Sequence, residues 1–149
     1  MDIALYQPDI PQNLGSMLRL CACMDVTCHV IEPCGFIFDD KRLRRVAMDY
    51  IDQVKWLRHA SWDVFLQDTR SRGARLVLLS TKASASCYEF VFRPSDILLF
   101  GRESAGVPEE VVHKADATLR VPMAPHARSL NVVQAASMAL GEALRQLRS

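Results

Sequence analysis

Short apolar runs alternate along this chain with longer segments in which apolar residues recur every three or four positions. The runs predict β-strands at 3–6, 28–31, 76–80, 97–100 and 119–121. The periodic segments predict helices at 13–24, 39–46, 61–71, 108–113 and 129–147, three of them with N-caps at Asp39, Ser61 and Ser129. Alternating strands and helices predict an α/β fold in which helices flank a mostly parallel sheet, built as a single domain over residues 1–149.

The composition fits one globular domain. The chain has 149 residues, half of them hydrophobic, and a net charge of +1. This balance excludes a disordered chain and a globally cationic nucleic-acid binder, so any contact with nucleic acid must come from a local patch. No apolar run approaches about 18 residues, and no leader pattern precedes the first strand. We therefore expect a cytoplasmic protein without membrane contact.

The cysteines favour structural thiols over a metal site. Their number is odd and they include no Cys-x-x-Cys pair; they are Cys21, Cys23, Cys28, Cys34 and Cys87. Three stand in apolar stretches, where free cysteines are usually buried. A structural zinc site would need a second clustered pair of ligands, so no metal is expected.

The last predicted helix has two apolar faces. One face carries larger side chains, at Leu130, Val133, Leu140, Leu144 and Leu147. The other carries mostly small ones, at Val132, Ala136, Ala139 and Ala143. Two apolar faces need two partners, of which the sheet is one. The small-residue face packs either within the monomer or against the second subunit of a two-fold homodimer, and the residues alone leave both alternatives open.

The segment 96–108 carries the strongest chemical signal. An apolar run ends at Gly101, and the loop Gly101-Arg-Glu-Ser-Ala-Gly106 places Glu103 between two glycines. Ligands of open α/β sheets bind beyond the carboxyl ends of strands, which predicts a site here. The loop continues with Val-Pro instead of Lys-Ser/Thr, which excludes a phosphate loop, and no dinucleotide fingerprint follows the first strand. Glu103 either complements a helix dipole or belongs to the site.

A second candidate segment lies near the start of the chain. Asn13 can cap a helix, and Gly15 lets another group approach closely. Arg19 follows nearly two turns later on about the same side, and its planar guanidinium suits a phosphate. The alternative for Arg19 is a solvated helical face.

The third segment is an irregular loop over 122–131. It delivers Ser129, Leu130 and Asn131 to a helix N-terminus, where Ser129 is either a plain cap or a cap that also touches ligand. His126 is either an acid/base group or simply solvated. Basic residues cluster elsewhere, at 41–45 and at Arg70, Arg72 and Arg75, and are either solvated surface or a few phosphate contacts.

The three segments together resemble the ordered motifs of the SpoU branch of the SPOUT RNA methyltransferases. The motifs are Asn13-x-Gly15-x-x-x-Arg19, Phe100-Gly-Arg-Glu-Ser-Ala-Gly-Val-Pro108, and Val121-Pro-Met followed by Ser129-Leu-Asn131. The resemblance runs from residue 1 to about 147. Ile31-Glu-Pro-Cys-Gly-Phe36, Phe38-Asp-Asp-Lys-Arg-Leu-Arg-Arg45 and Asp49-Tyr50 are further similar to the TrmL subgroup, which methylates the 2′-oxygen of the tRNA wobble nucleotide, position 34. Leu14 and Arg102 depart from the residues common in these motifs.

This resemblance implies a SPOUT fold with a deep C-terminal trefoil knot, an obligate homodimer, S-adenosylmethionine as methyl donor and the anticodon stem-loop of tRNA as partner. It implies that the methyl donor is held at Leu79, Ser80, Thr81, Gly101, Val121, Met123, Ser129 and Leu130. It implies that the RNA is faced, or the site ordered, by Arg19, Asn13, Glu103 and Asn131.

The implied reaction moves a methyl group from a sulfonium to the ribose 2′-hydroxyl of C or U at position 34. It needs positioning and removal of the hydroxyl proton, and no metal. Arginine is too weak an acid to serve readily as the base, so Arg19 is expected to bind a substrate phosphate and orient the hydroxyl. The alternatives are methylation of another RNA site, a catalytically silent RNA-binding relative, a small-molecule binder on the same scaffold, and a phosphate-binding α/β enzyme.

Overall fold

Seven strands of the computed structural model, which describes residues 1–37 and 39–148, form one parallel sheet. The strands are β1 (Asp2–Tyr6), β2 (Thr27–Ile31), β3 (Trp56–His59), β4 (Leu76–Leu79), β5 (Ala85–Ser86), β6 (Ile97–Phe100) and β7 (Ala117–Arg120). Their order across the sheet is β3-β2-β1-β6-β4-β7-β5, and each neighbouring pair is parallel. The predicted α/β class with a parallel sheet is confirmed.

Helices cover both faces of the sheet. They are α1 (Pro11–Met24), α2 (Asp40–Ala47), α3 (Trp62–Ser71), α4 (Glu109–Lys114) and α5 (Val132–Leu147), with a 3₁₀ helix at Met48–Asp52. Successive side chains of a strand point to opposite faces, so Ile3 and Leu5 join a core with α1, α2 and α5. Ala4 and Tyr6 join a second core with α3 and α4. The result is three layers.

The elements missing from the sequence prediction are the two edge strands. The strand β3 contains two exposed residues, Leu57 and Arg58, and β5 is only two residues long. Neither gives the buried apolar run by which the other strands were predicted. The predicted N-caps at Asp39 and Ser61 are confirmed, since their side chains accept hydrogen bonds from backbone N–H groups of the following turn. Phe38 of the motif around α2 lies outside the described residues.

The strand β7 lies between β4 and β5, although it follows both of them in the chain. Its residues pair with 77–79 of β4 on one side and with 85–86 of β5 on the other. The segment 80–84, which joins β4 to β5, therefore passes over the end of the sheet where β7 ends. This arrangement fits the trefoil knot, which itself stays a prediction.

The small-residue face of α5 is covered within the subunit. Ala136, Ala139 and Ala143 are fully buried in the single chain, and α5 contacts α1 and β6. The alternative in which this face packs against a second subunit is therefore wrong. Any dimer must use a different surface.

The thiols are free, and three of the five are buried: Cys21, Cys28 and Cys87. A hydrogen bond with Cys21, together with burial, holds the pKa of the Cys28 thiol well above its usual range. Burial also raises the pKa of Cys34, to about 11. Within residues 1–37 and 39–148, no helix has both the length and the apolar character that a membrane span requires.

Candidate active site

The loops that follow β4, β6 and β7 meet at the carboxyl edge of the sheet and enclose a cavity of about 670 Å³. This volume lies within the range of about 300–1,000 Å³ that is typical of small-molecule sites. The cavity is lined by all the residues expected around a methyl donor, namely Leu79, Ser80, Thr81, Gly101, Val121, Met123, Ser129 and Leu130. Asn13, Glu103 and Asn131 line it as well, whereas Arg19 does not.

The glycines of the loop after β6 are required by the loop itself. A Cβ on Gly101 would lie 2.7 Å from the Cα and carbonyl carbon of Gly106. Two backbone hydrogen bonds, of 2.9 and 2.8 Å, join Arg102 to Gly106 in both directions and close the loop. Gly106 itself has a φ of +64°, which favours glycine. The closed loop holds the side chain of Glu103 against the cavity wall.

One chain of hydrogen bonds joins the three motif segments. The Glu103 carboxylate accepts from the backbone N–H of Asp9 at 3.0 Å and from Nδ2 of Asn13 at 3.3 Å. Asn13 Oδ1 in turn accepts from Nδ2 of Asn131 at 3.1 Å. Asn131 Oδ1 then accepts from the backbone N–H of Val133 at 2.8 Å, which caps α5. Residues 90 to 118 positions apart in sequence are thus fixed relative to one another.

Two carboxyl groups share this corner of the site. Hydrogen bonds with Glu103 and Ser104 lower the pKa of Asp9 to about 2. Burial, followed by the hydrogen bond with Asp9, raises the pKa of Glu103. Of the two groups, Glu103 therefore keeps its proton to higher pH. The guanidinium of Arg102, with Nε 3.8 Å from Asp9 Oδ2, partly balances the Asp9 charge, which gives this departure from the family motif a local partner.

Two helix starts differ from the predicted ones. Pro11 is the first residue of α1, a position that suits proline because its missing N–H is not needed there. Asn13 therefore lies inside the helix and is not its cap, which frees its side chain to reach Glu103. At α5 the cap is Asn131 and not Ser129. Ser129 is exposed in the preceding loop, where it lines the cavity.

Arg19 lies apart from the cavity, exposed on α1. Its guanidinium carbon is 5.1 Å from the centroid of the Tyr50 ring. Six residues turn a helix through about 600°, so Arg19 and Asn13 do not share a face, and that expectation is wrong. Within the described chain Arg19 forms no ion pair, and its contact is this aromatic one.

The close approach expected at Gly15 is made by the protein itself. A Cβ on Gly15 would lie 2.3 Å from Cγ1 of Val46 and 3.2 Å from the backbone nitrogen of Ala47. The glycine therefore allows α2 to pack directly on α1. Gly15 does not line the cavity.

The two basic clusters have different surroundings. Arg70, Arg72 and Arg75 are ion-paired with Asp116, Asp68 and Asp96 at 2.7, 3.1 and 2.7 Å. Each of these guanidinium groups already binds a carboxylate of the protein, so the alternative of phosphate contacts is not supported for them. The cluster at 41–45 lies on α2, where its basic side chains are exposed. Of these, Arg44 binds Asp52 of the 3₁₀ helix at 3.0 Å.

The structure adds two residues that sequence reasoning had not assigned a role. Asp9 enters through contacts with a loop 94 residues away, for which the sequence gives no signal. Tyr50 enters through its contact with Arg19, and its presence in the subgroup motif was the available signal. His126, considered as an acid/base group, is exposed in the loop between β7 and α5.

Comparison with known families gives a match over most of the chain. Residues 1–141 match the SpoU rRNA Methylase family. A relative from Beijerinckia indica subsp. indica, a tRNA (cytidine(34)-2'-O)-methyltransferase, is 59% identical over 145 residues, which cover 97% of this chain and 91% of the relative.

Solved structures give a similar result. A structure from work on the 2-OH methylation of C/U34 on tRNA superposes with a TM-score of 0.93 at 43% identity, covering 99% of this chain and 95% of the other. The SpoU methyltransferase AviRb from Streptomyces viridochromogenes, in complex with the cofactor AdoMet, superposes with a TM-score of 0.90 at 25% identity. That match covers 99% of this chain and 60% of AviRb.

Proposed function

The chain belongs to the SpoU rRNA Methylase family, and we propose that it is a tRNA methyltransferase that modifies the ribose 2′-hydroxyl of the cytidine or uridine at position 34, with S-adenosylmethionine as methyl donor. The observation that carries this proposal is the cavity on which all three motif segments converge. Its support from relatives is the near full-length similarity to a tRNA (cytidine(34)-2'-O)-methyltransferase.

The residues around the cavity fit S-adenosylmethionine. Leu79, Val121 and Leu130 offer apolar walls for an adenine ring, while Ser80 and Thr81 offer hydroxyl and backbone groups for polar contacts. Related SpoU methyltransferases bind the same cofactor, as in the AviRb complex. When bound, the cofactor supplies a methyl group activated by its sulfonium.

The chain's own contribution is positioning. The bonds among Asn13, Glu103 and Asn131 fix the wall of the cavity relative to α1 and α5. Both carboxylate oxygens of Glu103 accept hydrogen bonds within the protein, so we assign it an ordering role. Arg19 is assigned to bind an RNA phosphate next to the target ribose, because within residues 1–37 and 39–148 its N–H donors form no ion pair with a carboxylate.

We propose further that the active form is a homodimer in which Arg19 completes the partner's site. Arg19 does not line the cavity of its own subunit, although Asn13 on the same helix does. The exposed side chains of α1 follow one stripe along the helix: Gln12, Ser16, Arg19 and Cys23. This stripe is the surface we assign to the dimer contact, in place of the buried small-residue face of α5.

The anticodon stem-loop is the RNA segment we assign to the exposed basic face of α2. Four basic residues, at 41, 42, 44 and 45, lie on a helix that packs on α1 close to Arg19. A local cluster of this size supplies a few phosphate contacts on a chain whose net charge is only +1.

The function is tested by methyl transfer and by cofactor binding. We expect the purified protein to bind S-adenosylmethionine in calorimetry and to methylate position 34 of tRNA, mapped by mass spectrometry. Arg19→Ala should abolish methylation while cofactor binding stays near normal. The matched control is Arg93→Ala, because Arg93 is an exposed arginine just before the start of β6 and does not line the cavity. Cofactor binding without methylation of any tRNA would favour a silent RNA-binding relative.

The shared site is tested by mixing inactive subunits. Arg19→Ala and Glu103→Ala should each be inactive as homodimers. Co-expressed, they form mixed dimers in which one of the two sites has both residues intact if Arg19 acts across the interface. Recovery of activity is the expected result. No recovery from isolated mixed dimers would place Arg19 in its own subunit's site.

A further inference from the structure

We propose that Tyr50 is a positioning residue that holds the Arg19 guanidinium in the orientation needed to bind an RNA phosphate. The inference rests on the proposed function, because it gives Arg19 an RNA ligand. Its starting observation is that Arg19 is exposed yet lies over an aromatic ring, with its guanidinium carbon 5.1 Å from the Tyr50 ring centroid. This distance lies within the about 6 Å over which a cation is attracted to the face of an aromatic ring.

The contact with the ring leaves donors of Arg19 available. A guanidinium presents five N–H groups that point in several directions, and a single aromatic ring engages only part of the group. Arg19 forms no ion pair within the described chain. A phosphate can therefore approach the edge of a guanidinium whose plane is already fixed, which suits two parallel hydrogen bonds.

The fold fixes the backbone that carries the ring before any RNA binds. The carbonyl of Tyr50 accepts hydrogen bonds from the N–H groups of Gln53 and Val54, both at 3.0 Å. The neighbouring side chain of Ile51 is buried. These contacts anchor the 3₁₀ helix at the tyrosine and directly after it.

The same packing brings the tyrosine to Arg19. Gly15 and Arg19 are four residues apart on α1 and share one face. Val46 occupies the space that a side chain at position 15 would need, since a Cβ there would lie 2.3 Å from Val46 Cγ1. Tyr50 follows Val46 by four residues. The Gly15–Val46 and Arg19–Tyr50 contacts are thus successive contacts of α1, the first with α2 and the second with the 3₁₀ helix that follows α2. The glycine of the motif Asn13-x-Gly15-x-x-x-Arg19 therefore allows the close packing that brings Tyr50 to Arg19.

A ring that restricts Arg19 reduces the rotamer freedom lost when RNA binds. Removing the ring should weaken RNA engagement without changing the charge of the site. Tyr50→Leu should lower kcat/KM for tRNA about two- to fivefold, the range expected for losing one exposed cation–π contact. Tyr50→Phe keeps the ring and should retain wild-type activity, and Tyr50→Trp should equal or exceed it.

A double-mutant comparison with Arg19→Ala distinguishes a Tyr50 that positions Arg19 from a Tyr50 that contacts RNA directly. In tRNA-binding measurements, Tyr50→Leu should weaken binding in the wild-type background and have no further effect in the Arg19→Ala background. Equal losses in both backgrounds would mean that Tyr50 touches RNA by itself and would overturn the proposal. A purely structural role would lower the affinity for S-adenosylmethionine or the melting temperature, and would not be rescued by phenylalanine.

Control variants distinguish the loss of the Tyr50 ring from general effects of replacing a tyrosine. Tyr88→Leu removes a tyrosine that is 46% exposed beyond β5, at the opposite edge of the sheet, and should leave tRNA kinetics unchanged. If Tyr50→Leu does not fold, Tyr50→Met removes the ring with an unbranched side chain. Wild-type protein that fails to methylate tRNA refutes the proposed function, whereas active wild type with equally active Tyr50→Leu refutes only the positioning role.

Discussion

Replacing Gly15 by alanine tests whether the contact between α1 and α2 is set by the missing side chain. Alanine is the better helix former by about 1 kcal/mol, so without a neighbour the substitution would stabilise the protein. The new Cβ would lie 2.3 Å from Cγ1 of Val46, more than 1 Å short of ordinary carbon contact at about 3.5 Å. Val46 is β-branched and therefore stiff, so the helices must move apart.

The two effects nearly cancel in stability but not in activity. Overpacking of this kind costs about 1–3 kcal/mol, which leaves Gly15→Ala between unchanged and about 2 kcal/mol less stable than wild type. The separation of α2 from α1 also moves Tyr50 away from Arg19. Loss of this contact corresponds to the effect expected of Tyr50→Leu, so we expect kcat/KM for tRNA methylation to fall about two- to fivefold.

Gly141→Ala provides the matched control for this prediction. Gly141 is an exposed glycine within α5, and a Cβ there would meet nothing within 4 Å. We expect its melting temperature to rise by about 2–4 °C, with unchanged activity. Both variants are measured by thermal unfolding and by tRNA methylation. If Gly15→Ala is stabilised as much as Gly141→Ala and remains active, the close contact does not constrain the site.

Three further predictions concern charge. Asp96→Asn removes a fully buried carboxylate that accepts two hydrogen bonds of 2.7 Å from Arg75, and should lower the free energy of unfolding in urea by about 3–5 kcal/mol. Asp52→Asn breaks an exposed ion pair and should lower it by less than about 1 kcal/mol. Equal losses in the two variants would contradict the role of burial. The pKa of Asp9 is lowered from 3.8 to about 2, so its ionised form contributes stability above pH 3.8 that is lost as pH falls toward about 2. In Asp9→Asn the melting temperature should therefore depend less on pH between about 2 and 3.8, and an unchanged slope would refute this prediction. Burial raises the pKa of Glu103 above its ordinary value of 4.5, so the stability of the protonated form is lost as pH rises from 4.5 through the raised pKa. Glu103→Gln should therefore gain melting temperature relative to wild type as pH rises above 4.5, and a constant difference would count against this.

The central strands were predictable because burial on both faces leaves a continuous apolar run. In β4 and β6 each of the four residues is buried. The edge strand β3 alternates differently, with two exposed residues in its middle. It is held in the sheet by pairing with β2, a contact that cannot be predicted from the local sequence of β3.

Of the residues that the resemblance implied for the site, all but Arg19 line the cavity, but their contacts with one another could not be predicted. Similarity to known motifs pointed to Asn13, Glu103 and Asn131, which come together on the cavity wall. Their hydrogen bonds span 90 and 118 residues and depend on the order of the strands. The capping role expected for Asn13 was wrong because Pro11, two residues earlier, already starts the helix.

The position of β7 between β4 and β5 has a consequence for biosynthesis. Both flanking strands are synthesised by residue 86, whereas β7 begins at residue 117. Until then the sheet ends at an open edge of β4, whose unpaired backbone groups can pair with another chain. One of the three loops around the cavity is the one that follows β7. A nascent chain therefore cannot close the cavity before β7 and the loop over 121–131 have been synthesised.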